Sequence, residues 1–126
     1  MIAAIALTLA TAAQTGSIDW AALPALPYRA PPMLTTSMRQ FAAREANIRH
    51  CPLSATAGPD QRLTVELAVL VTGNGEVRAV IPRAIQCATV EQYAAGLVAG
   101  FARGNLLPGA PTDQWYKTSL TFSWRK

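Results

Sequence analysis

Leu63-Thr64-Val65-Glu66-Leu67-Ala68-Val69-Leu70-Val71-Thr72-Gly73-Asn74-Gly75-Glu76-Val77-Arg78-Ala79-Val80-Ile81-Pro82 decides the fold. Up to Val71 the side chains alternate. Leu63, Val65, Leu67, Val69 and Val71 fall on one face, Thr64, Glu66 and Ala68 on the other, and Leu70 is the apolar exception of the outer face. A period of two marks a strand with one buried face. Thr72-Gly73-Asn74-Gly75-Glu76 interrupts it with residues that tolerate the positive φ of a hairpin turn, and Val77, Ala79 and Ile81 then resume the alternation. Pro82 has no N–H to give to a ladder, so the second strand is expected to end there or to lie at an edge.

Downstream the period changes. Val90, Tyr93, Ala94, Leu97, Val98 and Phe101 recur at helical spacing behind Thr89 and Gln92, which have the spacing of a capping box. Gly96 and Gly100 weaken this helix, and they serve either a close approach to the sheet or no purpose beyond being tolerated. Gly104-Asn105 supplies a stop, and Pro108-Gly109-Ala110-Pro111 keeps the chain irregular beyond it. Tyr116, Thr118, Leu120, Phe122 and Trp124 then alternate with Trp115, Lys117, Ser119, Thr121 and Ser123 as a last strand, with Tyr116, Leu120, Phe122 and Trp124 as its core face. The expectation is an α+β domain: a small antiparallel sheet of about three strands (β-hairpin, helix, C-terminal strand), a helix packed on one face, and an extra N-terminal helix. For that extra helix Ser37 and Gln40 offer a capping box, and Met38, Phe41, Ala42 and Ala46 form its apolar side before Cys51-Pro52.

The order of these pieces resembles the C-terminal domain of TonB-type energy transducers. Val71-Thr72-Gly73-Asn74-Gly75-Glu76-Val77 is similar to the turn between the first two strands of that family, Leu106-Leu107-Pro108 stands where its aromatic-x-Pro follows the helix, and the closing strand through Phe122 matches its last strand. The resemblance covers about half of the chain and implies a periplasmic protein-protein interaction module, not an enzyme, with a role in TonB-dependent transmembrane transport. Its implied partner is an extended segment of an outer-membrane receptor or another envelope protein, added as a strand along the last strand. Carried onto this chain, that edge is residues 115–124, with Trp115, Lys117, Ser119, Thr121 and Ser123 as the outward-facing candidates. An edge-strand homodimer is the alternative assembly. With no long linker or inner-membrane helix expected, the chain reads as a short stand-alone form.

The 126 residues, half of them apolar, suit one small domain. Residues 1–13 form an apolar, alanine-rich run that is too short to span a bilayer and fits the core of a secretory signal with a cleavage point such as Ala13. A charged leading region is missing, so retention of the run stays open; the expected location is the periplasm. Residues 14–35 are read as a proline-rich extended segment and residues 36–126 as the TonB-like domain. The arginines are scattered over the chain without a run or an aromatic-interleaved basic helix, and no nucleic-acid partner is expected.

Cys51 and Cys87 are the only cysteines, and in an exported protein an even count reads as a disulfide. Free buried thiols are the alternative, and a redox site would lack the C-x-x-C pair. His50 beside Cys51 is the residue pair for the alternative of a small secreted Cys-His hydrolase, although neighbours along an extended chain point to opposite faces. A further alternative is a disulfide-stabilised structural domain. Ser54, Ser119 or Ser123 with His50 and Asp60 or Asp113 make a triad on paper only, with no nucleophile elbow. Glu66 and Glu76 are expected to balance arginines on the solvent face. One histidine and two thiols fall short of a zinc site, and Gly73-Asn74-Gly75 lacks the third glycine and the helix of a dinucleotide loop. No catalytic residue, cofactor or metal is therefore expected.

Overall fold

A computed structural model describes residues 18–54 and 59–125. The expected leader, residues 1–13, lies outside the described residues. Among the described residues, two α-helices, α1 (Thr36–Ile48) and α2 (Ala88–Ala102), and three strands, β1 (Asp60–Val71), β2 (Val77–Pro82) and β3 (Gln114–Arg125), follow a short 3-10 turn at Trp20–Ala22. The sheet order is β2-β1-β3, antiparallel throughout. β1 pairs along its whole length with β3, from Asp60 opposite Arg125 to Val71 opposite Gln114, whereas β2 covers only Leu67 to Val71. This is the expected α+β architecture, with both helices on one face of the sheet.

The predicted faces of β1 and β3 form the core. Leu63, Val65, Leu67, Val69 and Val71 are buried together with Tyr116, Leu120 and Phe122, against Ala42 and Ala46 of α1 and Val90, Ala94, Val98 and Ala102 of α2. α2 lies chiefly under β2 and α1 under β3. Phe41, Tyr93 and Phe122 link the three elements, with ring centroids 4.2 Å apart for the first pair and 6.2 Å for the second. Small residues on α1 let that helix approach the sheet, while α2 presents β-branched valines.

Several local expectations change. In β2 a bulge opposite Leu70 and Val71 shifts the phase, so Val77 and Val80, not Val77, Ala79 and Ile81, lie toward the core; Ile81 stands opposite Ala68 on the outer face and is 37% exposed. α1 is capped two residues earlier than Ser37: the Thr35 hydroxyl accepts the Met38 N–H at 3.2 Å. At α2 the Thr89/Gln92 box does not form. Cys87 is the N-cap, and the Glu91 carboxylate instead accepts the backbone N–H groups of Ile85 and Cys87 at 2.9 and 3.1 Å. An acceptor one turn inside the helix thus does the work expected of the cap residue, beside the positive end of the helix dipole.

The hairpin turn closes with the Thr72 N–H to the Glu76 carbonyl and the Gly75 N–H to the Thr72 carbonyl, both 2.9 Å. Gly75 has φ +82°, and a side chain at Gly73 would overlap the Pro111 carbonyl, so each glycine is required for its own reason. Gly96 and Gly100 face open space, which settles their role as tolerated rather than packed. Gly104, at φ +64°, turns the chain out of α2.

The cysteines form the expected disulfide, Cys51 to Cys87, with Cα atoms 5.3 Å apart. It ties the segment after α1 to the N-terminus of α2, and both residues belong to the core.

Candidate functional site

The pairing of β3 determines what its second edge offers. In an antiparallel ladder, main-chain groups alternate between one neighbour and the other. Lys117 directs both its groups away from β1: its N–H donates to the Pro24 carbonyl and its carbonyl accepts the Leu26 N–H, each at 2.8 Å. The alternation then turns the N–H and C=O of Ser119, Thr121 and Ser123 to the same outer edge. Among the described residues these groups have no main-chain partner, and all three residues are exposed. Their side chains also share the solvent face of the sheet, where the Thr121 and Thr64 hydroxyls meet at 3.0 Å across a closely spaced pair.

Of the residues expected at this edge, Ser119, Thr121 and Ser123 are therefore accessible. Trp115 is partly buried opposite Leu70, and Lys117 is occupied. Its occupant is the stretch 24–26 of the proline-rich segment, which is built into the domain; the described part of that segment is not extended throughout, since Trp20–Ala22 form a 3-10 turn. Residue Ala25 pairs in parallel with Lys117, and Tyr28 pairs with Leu106 beyond α2. Pro24 and Pro27 sit where only a carbonyl is needed: Pro24 accepts from Lys117, and Pro27 accepts the Leu107 N–H, each at 2.8 Å. Asn105 fastens the next residues, its carbonyl taking the Arg29 N–H and its side-chain amide bonding both main-chain groups of Ala30.

The segment wraps the edge from one face to the other. On the solvent face the Lys117 ammonium donates to the Trp20 carbonyl at 3.4 Å, and the Arg83 guanidinium lies 5.4 Å from the centre of the Trp20 ring. These two contacts straddle Ala68, whose cross-strand neighbours are Lys117 and Ile81, and Ala68 is fully buried although it belongs to the outer face. On the core side Leu26 is 6% exposed. Tyr28 packs against the same core, and its hydroxyl is buried without a hydrogen bond of good geometry. Burial pushes the Tyr28 phenol above its ordinary value, and the neighbouring Thr118 hydroxyl works in the opposite direction.

A family model, a curated protein or a solved structure that matches this chain was not found in any of the three comparisons. The site therefore rests on its own geometry.

The residues of the hydrolytic alternative are elsewhere. His50 and Cys51 line a cleft of about 470 Å³ at the far end of the sheet, together with Arg44, Asn47, Trp124 and Arg125. Cys51 is in the disulfide, so in this form its sulfur is no thiolate. Asp113 is bound to Arg78 at 2.9 Å beside the Gln114 end of β3, whereas His50 lies by Trp124, roughly 35 Å away at about 3.4 Å per strand residue. Asp60 lies 3.8 Å from Arg125. Glu66 has the expected arginine, Arg83 at 2.9 Å; among the described residues Glu76 has none. Among the described residues no three His, Cys, Asp or Glu side chains group as a metal site requires, and no helix is long and apolar enough to cross a membrane.

Proposed function

We propose that this protein is a protein-protein interaction module that takes an extended segment of a partner as an added strand on the edge of β3. The observation that carries this reading is the exposed run of main-chain donors and acceptors at Ser119, Thr121 and Ser123, held on a strand that pairs with β1 over its full length. A twelve-residue ladder gives a rigid template, so a partner strand meets a preformed edge and binding does not have to order the protein's own strand. β2 is the poorer alternative edge: it has six residues, carries Arg78, and ends in Pro82.

The disulfide agrees with an oxidising compartment, and the element order agrees with the resemblance to TonB-type domains. Export to the periplasm, a partner among outer-membrane receptors and a part in TonB-dependent transport are the biological form of the proposal. Recognition, with no covalent chemistry, is its mechanistic form.

Titration of the full chain with extended peptides from the periplasmic ends of outer-membrane receptors tests it by amide NMR. The expected result is perturbation of residues 119–123. Thr121→Pro removes an outward N–H without touching the β1 ladder and should abolish binding in a folded protein. Shifts confined to residues around His50 and Cys51, with β3 silent, would refute the proposal.

A further inference from the structure

We propose that the proline-rich wrap is a built-in stop, which confines an added strand to residues 119–123 and sets where that strand must end. This deepens the strand-addition reading and rests on it. Without the wrap, β3 would offer its whole length; with it, the two outward groups of Lys117 are already bonded to Pro24 and Leu26. The wrap is anchored on both sides of the sheet. Leu26 and Tyr28 join the core, Pro27, Arg29 and Ala30 are bonded to the loop after α2, and Lys117 and Arg83 hold Trp20 on the solvent face. An incoming strand that displaced residues 24–26 would have to expose Leu26 and uncover Ala68, and its new hydrogen bonds to Lys117 would only replace those lost.

The stop also has a chemical consequence for the partner. Where the wrap leaves the edge, a cavity of about 490 Å³ is lined by Ala25, Leu26, Thr64, Glu66, Lys117 and Ser119. Its two charged side chains are engaged, Glu66 by Arg83 and Lys117 by the Trp20 carbonyl. The terminal residue of an added strand places its side chain here when it points to the solvent face. The matching partner is thus an extended segment of about five residues, at about one residue per strand position, with an uncharged side chain at the end that meets the wrap.

Two alternating threonine-valine peptides, of five and nine residues, are the probes, titrated into the full chain with amide exchange followed at each residue. In the free protein the Leu26 and Lys117 amides should exchange far more slowly than those of Ser119, Thr121 and Ser123. Both peptides should shift residues 119–123 with affinities within about twofold, because residues past the stop find no partner. In Leu26→Ala the wrap loosens, and the longer peptide should gain about tenfold through the freed Lys117 groups while the shorter does not. A nine-residue peptide that binds wild type about tenfold more tightly and strips protection from Lys117 would refute the stop and leave strand addition standing. Fast exchange of the Lys117 amide in the free protein would refute the stop whatever the peptides do. If neither peptide moves residues 119–123 while Lys117 stays protected, strand addition fails and the stop falls with it.

Discussion

Replacing Cys51 and Cys87 by alanine opens a loop whose ends are 36 residues apart in sequence. In the chain-entropy model, closing such a loop removes about 13 cal/mol/K from the unfolded chain, or about 4 kcal/mol at 25 °C. For a domain whose total stability is of the order of 5–15 kcal/mol, that is a quarter or more of the whole. The midpoint of thermal unfolding should fall by roughly 16–32 °C, at about 4–8 °C per kcal/mol for a domain near this size. Urea unfolding of oxidised wild type, reduced wild type and the double variant is the assay. Reduced wild type keeps both buried sulfurs, so its difference from the oxidised form isolates the loop term, and its difference from the variant isolates the packing of two side chains that are 9% and 3% exposed. The slope of free energy against urea should also rise when the loop opens, because the unfolded chain becomes less compact. Oxidised and reduced forms that unfold within about 1 kcal/mol of each other would refute the argument, since a cross-link between the end of α1 and the start of α2 would then restrict nothing that the unfolded chain explores.

Phe122→Ala should destabilise by about 3–5 kcal/mol, because Phe122 is the largest fully buried side chain, whereas partly buried Leu97 should lose less on truncation; equal urea midpoints for the two variants would show that the core is assigned wrongly. Gly96→Ala should stabilise by about 0.5–1 kcal/mol, since its Cβ meets open space in mid-helix, while Gly73→Ala should destabilise through its clash with Pro111, and calorimetry reads both signs directly. Tyr28 predicts an alkaline effect. Its folded phenol lies above the unfolded value of 10.0, so its contribution is complete below that pH and is lost as pH rises toward the folded value, where the unfolded chain has released the proton first. Tyr28→Phe should therefore flatten the difference in stability between pH 9 and pH 11, about one unit on either side of the ordinary phenol value, as measured by chemical unfolding at each pH.

Much of this architecture is legible from local pattern. The period-two runs at Leu63 to Val71 and Tyr116 to Trp124 and the helical stripe through Val90, Ala94 and Val98 each name the face that is buried. That follows because one buried face imposes a period on every element, whatever its partner. The paired cysteines were legible for a similar reason: a count of two leaves only one intramolecular bridge. Cap positions were less so. Thr35 and Ser37 are both good N-cap residues by type, and Glu91 acts from inside its helix, so residue identity alone does not choose among neighbours. The phase of β2 was hidden because the bulge opposite Leu70 and Val71 depends on how two strands meet.

For the candidate site, the sequence by itself determined which side chains of β3 leave the core: Ser119, Thr121 and Ser123 alternate with Leu120 and Phe122, and side-chain direction is a local property of a strand. Only the tertiary structure decided which main-chain groups remain open. That depends on β1 taking one edge of β3 and on Pro24 and Leu26, more than ninety positions before Lys117 in the chain, taking part of the other. The prolines foretold extension but not destination, because a carbonyl acceptor carries no sequence signal for the N–H that will meet it.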